Sequence, residues 1–182
     1  MILMRAKERG QAAVLAVLLI MVFVLLASAL VDGYALLEAR NWGYEVAQQA
    51  AMAGVSQGRD WNALATPPCT GGPAPIRLVA ANASSAAQDF LQREMTLRGI
   101  SSYTYEIRVL PNYTGGSISG FPPSPTRLGG SRGSWTVSEP SVGVYVSFPA
   151  RTFLMSFIGR PTVQVNVFAS ASVHQPEGVC TP

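Results

Sequence analysis

The feature that most constrains this chain is an apolar run near its N-terminus. Residues 12–31 contain a single polar side chain, Ser28, and the run is long enough to cross ~30 Å of hydrocarbon as a helix. Three basic residues precede the run, whereas the first charge after it is Asp32. Since basic residues favour the cytoplasmic side of a membrane, the sequence predicts a single-pass membrane protein with a cytoplasmic N-terminus, residues 1–10, and an exported remainder.

A basic start and the Ala-Ser-Ala of residues 27–29 are also compatible with a cleaved signal peptide. We favour a retained anchor because the run is longer than the ~7–15 apolar residues that are usual in a signal peptide. In addition, no proline follows before residue 58, and the pattern stays helical. The sequence therefore predicts one helix over about residues 11–58. Its first half spans the membrane, and its second half stands outside as the spine of the exported domain.

Small residues recur along the second half of this helix at spacings of three, four and one, which places them on one helical face. Such a face lets another helix or a sheet approach closely. The alternative interpretation is that alanine is simply a good helix former and that glycine is tolerated. The residues of this face are Gly43, Ala47, Ala50, Ala51, Gly54 and Gly58.

The sequence pattern of residues 59–182 predicts an exported α+β domain. A short second helix over 86–98, capped by Ser84 or Ser85, follows a Pro- and Gly-rich loop at 59–83. A second long loop is expected at 111–134. Alternating patterns then predict an antiparallel sheet of three or four strands with one apolar face. These strands are expected at residues 103–109, 135–137, 141–148 and 162–173.

The connection between the last two strands is nearly all apolar. If it is an exposed turn, it forms a patch suited to a partner protein or to the outer membrane–water boundary. If it packs under the sheet, it is ordinary core, and the sequence leaves both interpretations open. The residues concerned are Phe153, Leu154, Met155, Phe157 and Ile158.

The two cysteines, Cys69 and Cys180, lie in Pro-containing loops beyond the apolar run. An even count in an exported domain fits one disulfide, which would tie the C-terminal tail to the first loop. Two free thiols are the alternative. Because the spacing is wide and no CxxC occurs, neither a redox motif nor a zinc site is indicated.

Groups for catalysis are few. His174 is the single histidine and is expected to be exposed and unpaired, and no nucleophile, metal or nucleotide motif occurs. The net charge is +3 and the arginines are scattered, which argues against nucleic acid. Asp32 either pairs with a basic residue of a neighbouring subunit or marks the level where water begins. We therefore expect no enzyme, no cofactor, no metal and no small-molecule substrate.

Residues 8–55, ERGQAAVLAVLLIMVFVLLASALVDGYALLEARNWGYEVAQQAAMAGV, resemble the N-terminal signature of TadE/TadG-like proteins of tight-adherence (Flp-type) pilus systems. The resemblance covers the opening ERGQA, the apolar helix, Asp32 and the Ala-rich segment 48–54. Residues 142–173 also look like the family's C-terminal pattern of a strand, a hydrophobic connection and a final alternating strand. Residues 59–141 carry no such resemblance.

The resemblance implies a non-enzymatic, pseudopilin-like or minor-pilin-like subunit of a pilus or secretion apparatus. It would lie in the bacterial inner membrane, with its C-terminal domain periplasmic or extracellular. Its partners would be membrane lipid and other pilin-like or membrane-complex subunits, bound through the small-residue face and the 153–158 segment. The alternative is a single-pass accessory or structural subunit of a larger membrane complex.

The resemblance also raises the question of processing between Gly10 and Gln11. A prepilin peptidase substrate of the type IV class looks like a glycine followed by a mature chain with glutamate at its fifth position. Leu15 stands at that position here. Cleavage after Gly10 and an uncleaved anchor, as in the TadG branch, therefore both remain open.

Overall fold

The computed structural model describes residues 2–65, 74–126, 133–157 and 159–175, and for residues 2–12, 64 and 65 it describes the backbone alone. The described part is α+β, with a long N-terminal apolar helix, a three-stranded antiparallel sheet and a separate two-stranded one. Its elements are α1 (Ile2–Gln57), α2 (Trp61–Ala65), α3 (Ala80–Leu97), β1 (Thr104–Leu110), β2 (Gly116–Ser119), β3 (Ser134–Val137), β4 (Ser141–Arg151), α4 (Leu154–Phe157) and β5 (Thr162–Ser172).

Helix α1 carries the apolar run and its polar continuation without a break, which confirms the predicted long helix. Within the described part of the chain, it is the one helix long and apolar enough to cross a membrane. Its side chains over residues 13–31 are exposed except for Ser28, which is half-buried and donates a hydrogen bond to the carbonyl of Val24. The described residues therefore leave the apolar run uncovered.

The chain forms two compact units. The first consists of Met1–Glu38 and Ala150–Val163, and the second of Ala39–Pro149 and Gln164–Pro182.

The second unit has its main core where the small-residue face of α1 meets α3 and the sheet. Ala47, Ala50 and Ala51 are fully buried. A Cβ on Gly54 would lie 2.7 Å from the backbone oxygen of Ala83 in α3, so only glycine permits this close approach. The face therefore packs against a helix and a sheet of its own unit, which confirms the close approach that its small residues predict, and it is covered within the chain.

The three-stranded sheet has the order β1-β4-β5, with Ile107 of β1 opposite Val144 of β4. The predicted single apolar face is wrong for the central strand, because β4 is buried on both sides over most of its length. Val142, Val144, Val146 and Phe148 form one buried face.

The second face of β4 is covered by the hairpin of β2 and β3. Strand β2 lies inside the segment 111–134 that the sequence predicts as a loop, and it pairs antiparallel with β3. Phe121, Trp135 and Tyr145 form a second core cluster there. A Cβ on Gly143 would come within 2.9 Å of the Phe121 ring, so the missing side chain makes room for the aromatic cluster.

Helix α3 begins at Ala80, six residues earlier than predicted, and its N-cap is Val79 without a side-chain hydrogen bond. The expected caps, Ser84 and Ser85, lie within the helix. The predicted end is confirmed, because Gly99 has φ +71° and the amide of Ile100 donates to the carbonyl of Met95, as in a Schellman motif.

Candidate functional site around Asp32

Asp32, the first charged residue after the apolar run, is buried in the first unit, with 6% of its surface exposed. Its Oδ1 accepts a hydrogen bond from the backbone N–H of Phe153 at 2.5 Å. Its Oδ2 accepts from the N–H groups of Leu154 at 2.7 Å and Met155 at 3.2 Å. One carboxylate therefore satisfies three consecutive amides at the start of α4.

The Asp32 carboxylate is therefore bound within the chain, and its predicted pairing with a basic residue of another subunit is wrong. Its position at the level where water begins stays a prediction. The first amides of a helix have no partner within the helix, and an anionic acceptor there gains from charge-assisted hydrogen bonds and from the N-terminal partial charge. The residue is a cap supplied from a distant part of the chain.

The β4–β5 connection is closed at its base by its own hydrogen bonds. The amide of Thr152 donates to the carbonyl of Pro161 at 3.0 Å, and the Thr152 hydroxyl donates to the carbonyl of Arg160 at 3.1 Å. After α4 the amide of Arg160 donates to the carbonyl of Met155 at 2.9 Å. Gly159 supplies the left-handed conformation that ends the turn, with φ +79°. The connection is thus a turn held by its own hydrogen bonds.

The outer side of this turn is aromatic. Phe153 and Phe157 are 58% and 74% exposed, and their rings meet edge to face with centroids 5.3 Å apart. Leu154 and Met155 are half-buried. Of the two interpretations of the 153–158 segment, the exposed patch describes both phenylalanines, whereas Ile158 lies outside the described residues.

Arginines flank the turn on either side. Arg151, at the end of β4, and Arg160, just before β5, are both exposed. Neither forms an ion pair with another described residue. The first unit thus places two exposed aromatic rings and two guanidinium groups on one short connection.

The remaining predicted sites are placed as follows. Cys69 and Cys180 both lie outside the described residues, and so does the disulfide predicted between them. Gly10 and Gln11 lie within α1, whose backbone is continuous through them. His174 is exposed as expected, but its Nδ1 lies 2.7 Å from a carboxylate oxygen of Glu139, so the prediction that it is unpaired is wrong.

The second unit has two other features of the kind found at binding sites, a groove and a pair of tyrosines. A groove of about 510 Å³ is lined by residues that include Arg40 and Asn166. The Arg40 guanidinium donates to the carbonyl of Thr126, and the Asn166 amide donates to the carbonyl of Pro125. These two side chains are therefore engaged with the chain's own backbone.

Tyr105 lies on β1 and Tyr103 just before it, with ring centroids 6.0 Å apart. Burial, and secondarily the charge of Tyr105, raises the pKa of Tyr103.

No family model, curated protein or solved structure matches this chain with significance. Function is therefore inferred from the residues themselves. Among the described residues, no three His, Cys, Asp or Glu side chains lie together as a metal site would require.

Proposed function

We propose that this protein is a non-enzymatic, membrane-anchored assembly subunit of a pilus or secretion apparatus, similar to TadE/TadG-like minor pilins and pseudopilins. It is held in the bacterial inner membrane by residues 12–31, with its N-terminus in the cytoplasm. The domain that begins after this segment is periplasmic or extracellular.

The observation that carries the proposal is the contrast between the first half of α1, which is apolar and exposed, and its second half, which is buried on one face. The side chains of residues 13–31 are exposed and almost all apolar, as in a helix surrounded by lipid. Farther along the same unbroken helix, Ala47, Ala50 and Ala51 are completely buried in the second unit. A helix whose first part is the anchor and whose later part belongs to the core of the attached domain suits a structural subunit.

The anchoring can be tested with a matched pair of lysine substitutions. Val22 lies at the middle of the apolar run, where a lysine costs roughly 3 kcal/mol, whereas Val14 lies near its cytoplasmic end. We expect Val22→Lys to remove much of the protein from the alkali-resistant membrane fraction. Val14→Lys should remain there, because its ammonium group can reach the cytoplasmic interface. Equal retention of both variants would contradict a span over these residues.

The assembly role requires the native complex. The protein is extracted in mild detergent, separated by size and analysed by intact mass together with everything that travels with it. Recovery with other pilin-like proteins, and loss of pili on deletion of the gene, are the expected results. A mass starting at Gln11 would show processing after Gly10. Recovery in a complex of unrelated membrane subunits, with pili intact after deletion, would replace the proposal by the accessory-subunit alternative.

A further inference from the structure

We propose that the turn between β4 and β5, in its described residues 151–157, 159 and 160, is a lipid-contacting element at the outer boundary of the membrane. Phe153 and Phe157 enter the outer edge of the hydrocarbon, and Arg151 and Arg160 bind the phosphates of anionic lipid headgroups. The inference rests on the proposed anchoring by α1 and adds a second point of attachment to it.

The first step is the level of the turn along α1. The apolar run ends at residue 31, and Asp32 follows it directly. The carboxylate of Asp32 holds the amides of Phe153, Leu154 and Met155 at 2.5, 2.7 and 3.2 Å. Because a run of 20 residues rising 1.5 Å each matches the ~30 Å of hydrocarbon, the start of α4 stands where the hydrocarbon gives way to headgroups.

The second step is the chemistry that the turn presents at this level. Phe153 and Phe157 are 58% and 74% exposed, and Tyr34 of α1, two residues beyond Asp32, is 72% exposed. Tyrosine is enriched at the membrane–water interface, where its amphipathic ring lies at the headgroup level, and phenylalanine is typical of the apolar face of elements that lie in this interface. An exposed pair of phenylalanines is costly in water but favourable in lipid. Its continuity with the uncovered apolar run makes lipid the occupant that these residues fit.

The third step is charge. Arg151 and Arg160 flank the aromatic pair and are exposed. Arginine can lay its aliphatic stem on apolar surface and reach a phosphate with its guanidinium group. The carboxylate that contacts the turn, that of Asp32, is buried and already accepts three hydrogen bonds from backbone amides. The turn therefore offers two cations to the headgroup layer.

The test uses the full chain in lipid nanodiscs, with the photo-crosslinker p-benzoyl-phenylalanine in place of one aromatic residue at a time. The test position is Phe157. Phe23, 67% exposed in the middle of the apolar run, reports on the anchor itself. Trp61, 63% exposed and beyond the C-terminal end of α1, is the matched exposed position outside the membrane. After irradiation, lipid adducts are read by intact mass.

Lipid adducts at Phe23 and Phe157, with none at Trp61, are the expected result. Adducts at Phe23 alone would overturn the interface and leave the anchor standing. Absence of adducts at Phe23 would overturn the anchor and this inference together. A crosslink from Phe157 to a protein, or equal lipid adducts at Trp61, would also overturn it.

The contribution of the arginines is tested in nanodiscs that contain equal amounts of phosphatidylglycerol and phosphatidylcholine, by comparing which of the two lipids forms adducts. Each basic residue near an anionic surface is worth roughly fivefold in local affinity. We therefore expect adducts at Phe157 to be enriched several-fold in phosphatidylglycerol relative to those at Phe23. In the double variant Arg151→Gln with Arg160→Gln, the ratio should fall to the Phe23 value. An unbiased ratio in the parent chain would overturn the headgroup contact.

Discussion

The carboxylate of Asp32 accepts a 2.7 Å hydrogen bond from the backbone N–H of Leu154, which lies 122 positions later in the chain. The amides on either side, those of Phe153 and Met155, donate to the same carboxylate. A single side chain at the end of the apolar run thus fixes the start of the helical turn that joins the last two strands.

Removal of the Asp32 carboxylate should release the turn locally. Asp32→Ala leaves three amides without their acceptor, and we expect a loss of about 2 kcal/mol, or roughly 30-fold in the local opening equilibrium. Chymotrypsin cleavage after Phe153 and Phe157 in the detergent-solubilised protein should accelerate accordingly. Asp32→Asn, which keeps one acceptor oxygen, should be intermediate. Ser28→Ala on the same helix is the control, and a parent-like cleavage rate for Asp32→Ala would contradict the capping role.

A methyl group at Gly54 should destabilise the second unit. The added Cβ would lie 2.7 Å from a backbone oxygen of α3, which cannot move aside as a side chain can. We expect Gly54→Ala to cost about 1–3 kcal/mol and to lower Tm by several degrees. Gly33→Ala in the same helix is the matched control, because nothing lies within 4 Å of its Cβ position. An unchanged Tm for Gly54→Ala would show that α1 and α3 are less closely packed than described.

Trp135 should tolerate loss of its indole nitrogen better than loss of its bulk. Its Nε1 is buried and has no hydrogen-bond partner among the described residues, whereas its ring packs 5.7 Å from Phe121 and 6.1 Å from Phe168. We expect Trp135→Phe to stay within about 1 kcal/mol of the parent, since the unpaired donor is removed. Trp135→Ala should cost about 3–5 kcal/mol. Thermal unfolding, monitored by near-UV circular dichroism, distinguishes the two variants. Equal losses of stability in both would contradict this account.

The raised pKa of Tyr103 gives a pH dependence of defined sign. The folded chain holds this phenolic proton more tightly than the unfolded chain, because burial and then the charge of Tyr105 disfavour the phenolate. The stability involved is present below the ordinary pKa of 10.0 and is lost as the pH rises through the folded value. In Tyr105→Phe the pKa of Tyr103 should fall towards its ordinary value, as read from phenolate absorbance against a Tyr103→Phe blank. If Tyr105→Phe left the pKa of Tyr103 unchanged, the charge of Tyr105 would not be a cause of the raised value.

Local patterns were sufficient to predict α1, the existence of α3, and the strands β1, β3, β4 and β5. The apolar run and its proline-free continuation predict α1, and the alternation of Val142, Val144, Val146 and Phe148 predicts the inner face of β4. Gly99 is correctly placed after the end of α3, because a left-handed C-terminal residue is a local requirement. The beginning of α3 is missed because Val79 offers no side-chain cap and because its first buried positions are alanines, which carry little apolar signal.

Longer-range pairings could not be read from the sequence. Strand β2 contains glycine and serine and has little strand propensity of its own, but its pairing with β3 and the cluster around Phe121 stabilise it. The burial of both faces of β4 follows from that hairpin. The partners of Asp32 were equally inaccessible, because they are backbone amides far away in sequence and no side-chain pattern marks them.

Because Asp32 precedes its donors by more than 100 residues, it is synthesised well before them. During synthesis the carboxylate emerges 121 residues before the amide of Phe153. At 5–20 residues per second, the chain exists for about 6 to 24 s with Asp32 made and its donors not yet translated. For the membrane anchor proposed above, the cap would form too late to guide insertion of α1 into the bilayer. It forms only after the chain has been made through α4, so a chain that stops short of α4 has an Asp32 carboxylate without its three backbone donors.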